Sequence, residues 1–351
     1  MLVSQSKKLK ASMTRSSEIQ LYLPGILDAF QHWHRDYAVE IDAPNLLHLM
    51  QTHSSASKTH VDYKVGLYQQ VWGNRFSLDK HYAAVCYEAD FKKRAPDHLY
   101  LASPINLESG LTSLTVAPQV IDDIHEDEWA EIYKSLNEYF AEQQWRFELS
   151  DAGRLYVCFP EGVAPNQLVN VDDILGQNLL DVMDTQGAIK WHARLNEIQM
   201  LLFSLPFNQQ REVNRQLMVN GLWIWGGGAR ALEPASQSID YIIAKNEEGR
   251  SIAYHTSADL LPKHPDHLPK GKGVIIADDC LKFYQAGDID AWQHTINELD
   301  NTLFATLAKQ VDNITLIHSC DGYQWRPKKK SLLHFFQKKR SKLTDFFIGG
   351  S

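Results

Sequence analysis

Apolar positions along this chain alternate between short runs and helical spacing. IQLYLPGIL (Ile19 to Leu27) is an apolar run closed by Pro24 and Gly25, which predicts a strand ending in a turn, and LDAFQHWH continues at helical spacing. APNLLHLM (Ala43 to Met50) sets a proline where a first helical turn tolerates it, with Leu46, Leu47 and Met50 following as the apolar face. HLYLASPINL (His98 to Leu107) and LTSLTVAP (Leu111 to Pro118) read as strands. The segment DDIHEDEWAEIYKSLNEYFAEQQ opens with acids and then places Ile124, Trp129, Ile132, Tyr133, Leu136 and Phe140 at helical intervals, which predicts an amphipathic helix. WRFELSDAGRLYVCF alternates around Asp151, Ala152 and Gly153, a hairpin pattern.

Further on, Trp191 to Pro206 is helical in pattern, and NGLWIWGGG is a strand running into three glycines. SIDYIIAKN and KGVIIADD supply two more β-rich runs. DIDAWQHTINELDNTLFATLAK aligns Trp292, Ile296, Leu299, Leu303 and Leu307 on one helix face, and NITLIHS follows as a buried strand. Strands alternating with helices predict an α/β protein with a mostly parallel sheet covered by helices on both faces. No internal repeat is visible.

Composition narrows the function classes. A chain of 351 residues with 44% hydrophobic content can bury one large core or two medium ones without disulfides or metals. The net charge of -8 argues against nucleic-acid binding by the body, because phosphate neutralisation needs clustered Lys and Arg. Residues 326–351 hold eight basic side chains against one acid, so an acidic body ends in a basic tail. Its Leu332, Leu333, Phe335, Phe336, Phe346 and Phe347 are interleaved with lysines, a pattern suited to an anionic membrane surface, an acidic partner or RNA, or to docking on the body itself. Cys86, Cys158, Cys280 and Cys320 stand alone, without zinc-finger spacing, which fits a reduced, cytoplasmic setting. Residues 1–18 read as a disordered basic leader without the apolar stretch of a secretory signal. No window approaches the roughly 18 to 20 apolar residues of a membrane helix.

The stretch LNEIQMLLFSLPFNQQREVNRQLMVNGLWIWGGG carries the candidate site. Asn208, Arg211, Glu212 and Asn220 sit between an apolar helix and an apolar strand, where amides and a guanidinium can converge. Gly226, Gly227 and Gly228 would let backbone N–H groups approach an anion, or else form a sharp structural turn. Neither a dinucleotide nor a P-loop spacing is met. Other clusters read as bland. His255, Asp259, His264, Asp266 and His267 fall in a proline-rich loop, DDIHEDE is a helix start, and Ser54, Ser55 and Ser57 near His53 and His60 lack a nucleophile elbow.

Those same segments resemble one family. LNEIQMLLFSLPFNQQRE with NGLWIWGGG resembles the signature of bacterial RpfE-type regulatory proteins, also called cofactor-independent phosphoglycerate mutase-like, in which a helix ends near HPVNxxRE and a strand reads NxLWxWGGG. HLYLASPINLE is similar to the family's RADPVHL strand, and GDIDAWQHTINELDNTLF and LHFFQKKRSKL are similar to its closing segments. The resemblance covers the chain from about Ile19 onward. More distantly, the element order is similar to that of archaeal-type phosphoglycerate mutases, which implies an alkaline-phosphatase-like fold with an inserted smaller domain. In those enzymes two divalent metals and a serine move the phosphoryl group.

The chain departs from that chemistry. Leu23, Pro24 and Gly25 stand where the enzymes place an acid before glycine, Tyr284 and Gln285 about where a Gly-His pair is expected, and Asp321 precedes Gly322 instead of histidine. Leu101, Ser103 and Asn106 replace the Arg, Asp and His of the RADPVHL strand, and Leu205 the histidine of HPVN. Those departures imply a catalytically degenerate, regulatory protein, with no cofactor and no metal, and the polar groups of Asn208, Arg211 and Asn220 converging on a glycine turn are expected to bind a small phosphorylated or carboxylate ligand between two domains. The alternatives are an active mutase or phosphohydrolase using Asp278, Asp279, His318 and Asp321, and an interaction protein working through its tail. The expected layout is a core α/β domain over 19–96 and 171–325, an inserted α+β domain over 97–170, and the tail over 326–351.

Overall fold

The computed structural model describes residues 17–55, 62–110, 113–163, 169–185, 191–229, 232–233, 238–262, 267–319, 323–328 and 342–346. Its strands are β1 (Glu18–Leu23), β2 (His53–Ser55), β3 (Leu99–Ile105), β4 (Leu107–Ser109), β5 (Leu114–Val116), β6 (Arg146–Leu149), β7 (Leu155–Cys158), β8 (Gly221–Trp225), β9 (Tyr241–Ile243), β10 (Asp259–Leu261), β11 (Lys272–Ile276), β12 (Ile314–Ser319) and β13 (Gln324–Pro327). The chain divides into two compact units, one of residues 1–71 with 234–351 and the other of residues 72–233.

The first unit is α/β. Its seven-stranded sheet runs β10, β9, β11, β1, β12, β13, β2. The first five strands are mutually parallel, and β13 and β2 add antiparallel pairs at one edge. β1 is central because its side chains suit burial on both faces: Ile19, Leu21 and Leu23 are fully buried on one face and Tyr22 on the other, and Leu21 pairs laterally with Ile275 on one side and Ile317 on the other. The helix Ile289–Leu299 and the π-turn and short helix after it bury Trp292, Ile296, Leu299, Leu303 and Leu307 in the same core, the helix face expected from the periodicity. Asp300, buried in that π-turn, reaches the helix Pro44–Gln51: its Oδ1 accepts from Leu46 N at 2.8 Å and its Oδ2 from Asn45 Nδ2 at 3.0 Å. A carboxylate thus satisfies orphan N–H groups at a helix start and matches its positive end. The tail's Leu343 and Phe346 are buried in this core, so that part of the basic tail docks on the unit. Tail residues 329–341 and 347–351 and the leader up to residue 16 lie outside the described residues.

The second unit is α+β. A four-stranded antiparallel sheet runs β6, β7, β3, β8, beside the two-stranded pair β4 and β5. β6 and β7 are the hairpin expected around Asp151 to Gly153. The helix Glu126–Tyr139 buries Ile132 and Leu136 and starts in a capping box between His125 and Glu128.

The unit is wider than the sequence reading of 97–170. β8 pairs with β3, setting Leu101 opposite Trp225 and Ile105 opposite Gly221, so GLWIW belongs to this sheet and not to the parallel one. All five of its residues are buried, and a strand apolar on both faces does not disclose which sheet it joins. The helices Leu78–Phe91, His192–Phe203 and Pro206–Val213 come with it. Among the described residues no helix is long and apolar enough to cross a membrane.

Candidate functional site

Asn208, Arg211, Glu212, Asn220 and the three glycines lie within the second unit, and the side chains of Asn208, Arg211 and Asn220 are committed to it. Asn208 is 1% exposed; its amide donates to Leu202 O at 2.8 Å and Val219 O at 3.0 Å, and its oxygen accepts from Val219 N at 2.8 Å. Asn220 holds the start of β4, accepting from Leu107 N at 2.6 Å and donating to Leu107 O at 2.9 Å. Arg211, also 1% exposed, donates to Leu217 O at 2.7 Å, to Glu128 Oε2 at 2.9 Å and to Asp123 Oδ1. These three residues build a structural network in which amides and a guanidinium satisfy backbone carbonyls that would otherwise be buried alone.

The glycine turn is structural for a different reason. Gly228 N donates to Leu99 O at 3.0 Å, and Gly226 O accepts from Ala83 N at 2.6 Å. A β-carbon on Gly227 would overlap the Leu99 carbonyl and come within 2.7 Å of Tyr100 Cα, while Gly228 has φ +94°. Close approach of two backbones, with Gly226 and Gly228 both at positive φ, requires glycine here without any ligand. Glu212 alone of the seven is exposed, on the wall of a cleft of about 520 Å³ that also includes Gln199, Phe203, Arg215, Gln216 and Asn220.

A second polar cluster, in the first unit, was only partly marked in the sequence. β9 leads through the helix Glu247–Thr256 to β10 on one side, whereas β11 leads through the helices Leu281–Ala286 and Ile289–Leu299 to β12 on the other. Neighbouring strands whose connections leave in opposite directions open a crevice at their carboxyl ends, the usual ligand position in such sheets. Lys245 and Asn246 follow β9, Glu248 stands in the first helical turn, and Asp278 and Asp279 follow β11. Asn246 caps its helix by accepting from Gly249 N at 3.0 Å. Burial, with Glu248 and Asp279 nearby, pushes the Asp278 carboxyl up to about 6. Lys64 Nζ lies 3.8 Å from Glu248 Oε1, and Lys245 Nζ 3.8 Å from Asp279 Oδ1.

Along the same edge β1 ends in Leu23, Pro24 and Gly25, all buried, and the Gly25 carbonyl accepts from Trp292 Nε1 at 2.7 Å. His318 on β12 is fully buried, stacks on Tyr22 with ring centroids 5.3 Å apart, and has Nδ1 2.6 Å from Ser319 O. Tyr22 accepts from Gln70 Nε2, and burial drives its phenol well above the ordinary range. Asp321 lies outside the described residues.

These side chains do not fit a pair of divalent ions. Such a pair needs acids and imidazoles converging on one point, and among the described residues no group of three or more His, Cys, Asp or Glu could hold a metal. His53 is likewise structural, with Nε2 3.0 Å from Ile314 O, while Ser57, His60, His264 and Asp266 lie outside the described residues.

No protein-family model and no curated protein matches the chain. Among solved structures it is similar to the PH0037 protein from Pyrococcus horikoshii, at 10% identity over 90% of this chain and 88% of that one, with a TM-score of 0.45. It is also similar to a cofactor-independent phosphoglycerate mutase from Thermoplasma acidophilum, at 11% identity over 88% of each chain, with a TM-score of 0.34. At these values neither likeness carries an activity to this chain.

Proposed function

We propose that the chain is a catalytically degenerate phosphoglycerate-mutase-like protein of the RpfE type, on an alkaline-phosphatase-like scaffold, that regulates by binding instead of turning over a substrate. One observation carries this reading: among the described residues, the carboxyl edge of the parallel sheet holds lysine-paired acids, a buried Tyr22–His318 stack and an apolar β1 end, in place of converging metal ligands. A phosphoryl dianion there would meet carboxylates, and the cations beside them, Lys64 and Lys245, are already paired with Glu248 and Asp279.

A small phosphorylated or carboxylate ligand would then use the cleft of the second unit, where Arg215 supplies a cation and Gln199 an amide. Asn220 and Glu212 line the same cleft, and Asn208 and Arg211 hold the fold of the segment that carries them. The test is a coupled phosphoglycerate mutase assay and a p-nitrophenyl phosphate assay, each with manganese, zinc or magnesium. No turnover above the protein-free blank is expected. Metal-dependent turnover by the purified chain overturns the reading.

A further inference from the structure

We infer that Lys64 is the resident counter-ion of the β9–β11 crevice, so that the unit keeps its acids compatible with folding without a divalent cation. The inference rests on the reading of the chain as metal-independent, and extends it to a particular side chain. Lys64 reaches Glu248 at 3.8 Å with side chains only 13% and 10% exposed, so water screens this pair little. The Lys245–Asp279 pair is equally long, but Lys245 is 66% exposed and solvent weakens it.

Lys64 is fixed where it stands. It occupies the second position of the helix Tyr63–Trp72, and its backbone N–H donates to Asp62 Oδ1 at 2.7 Å. The opposite partner is fixed as well, because Glu248 lies in the first turn of a helix capped by Asn246. Two well-anchored backbones therefore bring one ammonium to one buried carboxylate. In a two-metal enzyme the same edge is where acids draw in cations. Here an ammonium of the chain itself supplies positive charge, and Asp278, buried beside Glu248 and Asp279, relieves its own burial by holding its proton more tightly.

The experiment is thermal unfolding of the full chain, wild type and variants, with EDTA or with added manganese or zinc. Wild-type Tm should move by less than about 1 °C across these conditions, whereas a bound ion at a hundred times its Kd would raise it by several degrees. Lys64→Met should lower Tm by roughly 5 °C or more, Lys64→Arg should lose little, and Glu248→Gln added to Lys64→Met should recover most of the loss. A saturable rise of wild-type Tm with either metal overturns the inference, and this arm stands even where Lys64→Met does not fold. No recovery in the double variant, in a protein that also shows no turnover, overturns the inference while leaving the proposed function in place.

Discussion

Arg211 donates to Glu128 Oε2 at 2.9 Å across two helices of the second unit, with the arginine 1% exposed. The side chain best suited by type to grip an anionic ligand is thereby closed inside the protein as a brace between the helices Pro206–Val213 and Glu126–Tyr139. Replacing it strands a buried carboxylate. Arg211→Met should cost about 3–5 kcal/mol in urea unfolding. A loss below about 1 kcal/mol would show that the brace carries little stability.

Gly227 makes the same point about the turn. A methyl group there meets the Leu99 carbonyl and the Tyr100 backbone, neither of which is the far end of a flexible side chain. Gly227→Ala should destabilise by on the order of 2 kcal/mol or more, measured by urea or thermal unfolding. A variant as stable as wild type would mean that the turn has room after all.

Asp278 supplies a pH signature. Its carboxyl is raised from 3.8 to about 6 in the folded chain, so between those values the native state keeps a proton that the unfolded state has released. Stability contributed at this residue is therefore present at low pH, falls as pH rises through that window, and stays lowered above it. Asp278→Asn should match wild type near pH 4 and exceed it at pH 8 by on the order of 2 to 3 kcal/mol. The check is unfolding free energy against pH for both proteins; parallel curves would refute the assignment.

Asp300 links the π-turn to a distant helix start. Asp300→Ala removes acceptors for Asn45 and Leu46 and should cost about 1–2 kcal/mol. Asp300→Asn, which keeps one acceptor, should cost less. Equal losses for the two variants would assign the effect to packing alone.

Periodicity disclosed much of the first unit, because its elements announce themselves locally: the Trp292 to Leu307 face, the β1 run and the Pro44 helix all lie where the pattern places them. β8 was legible as a strand but not as a partner of β3, since GLWIW is apolar on both faces and pairing is a long-range choice. The candidate site was open to two readings for a related reason. Asn208, Arg211 and Asn220 have the chemistry of ligand contacts, and the same chemistry satisfies buried backbone groups. Lys64 gave no signal, because nothing in its sequence neighbourhood says that it will meet Glu248, a residue distant along the chain.

The most direct test of the metal-independent account is the metal content of the purified full chain, measured by inductively coupled plasma mass spectrometry after dialysis against buffer with and without added manganese and zinc. The account predicts well under one divalent ion per chain in both samples. Two ions retained per chain, lost on Asp278→Asn, would contradict it.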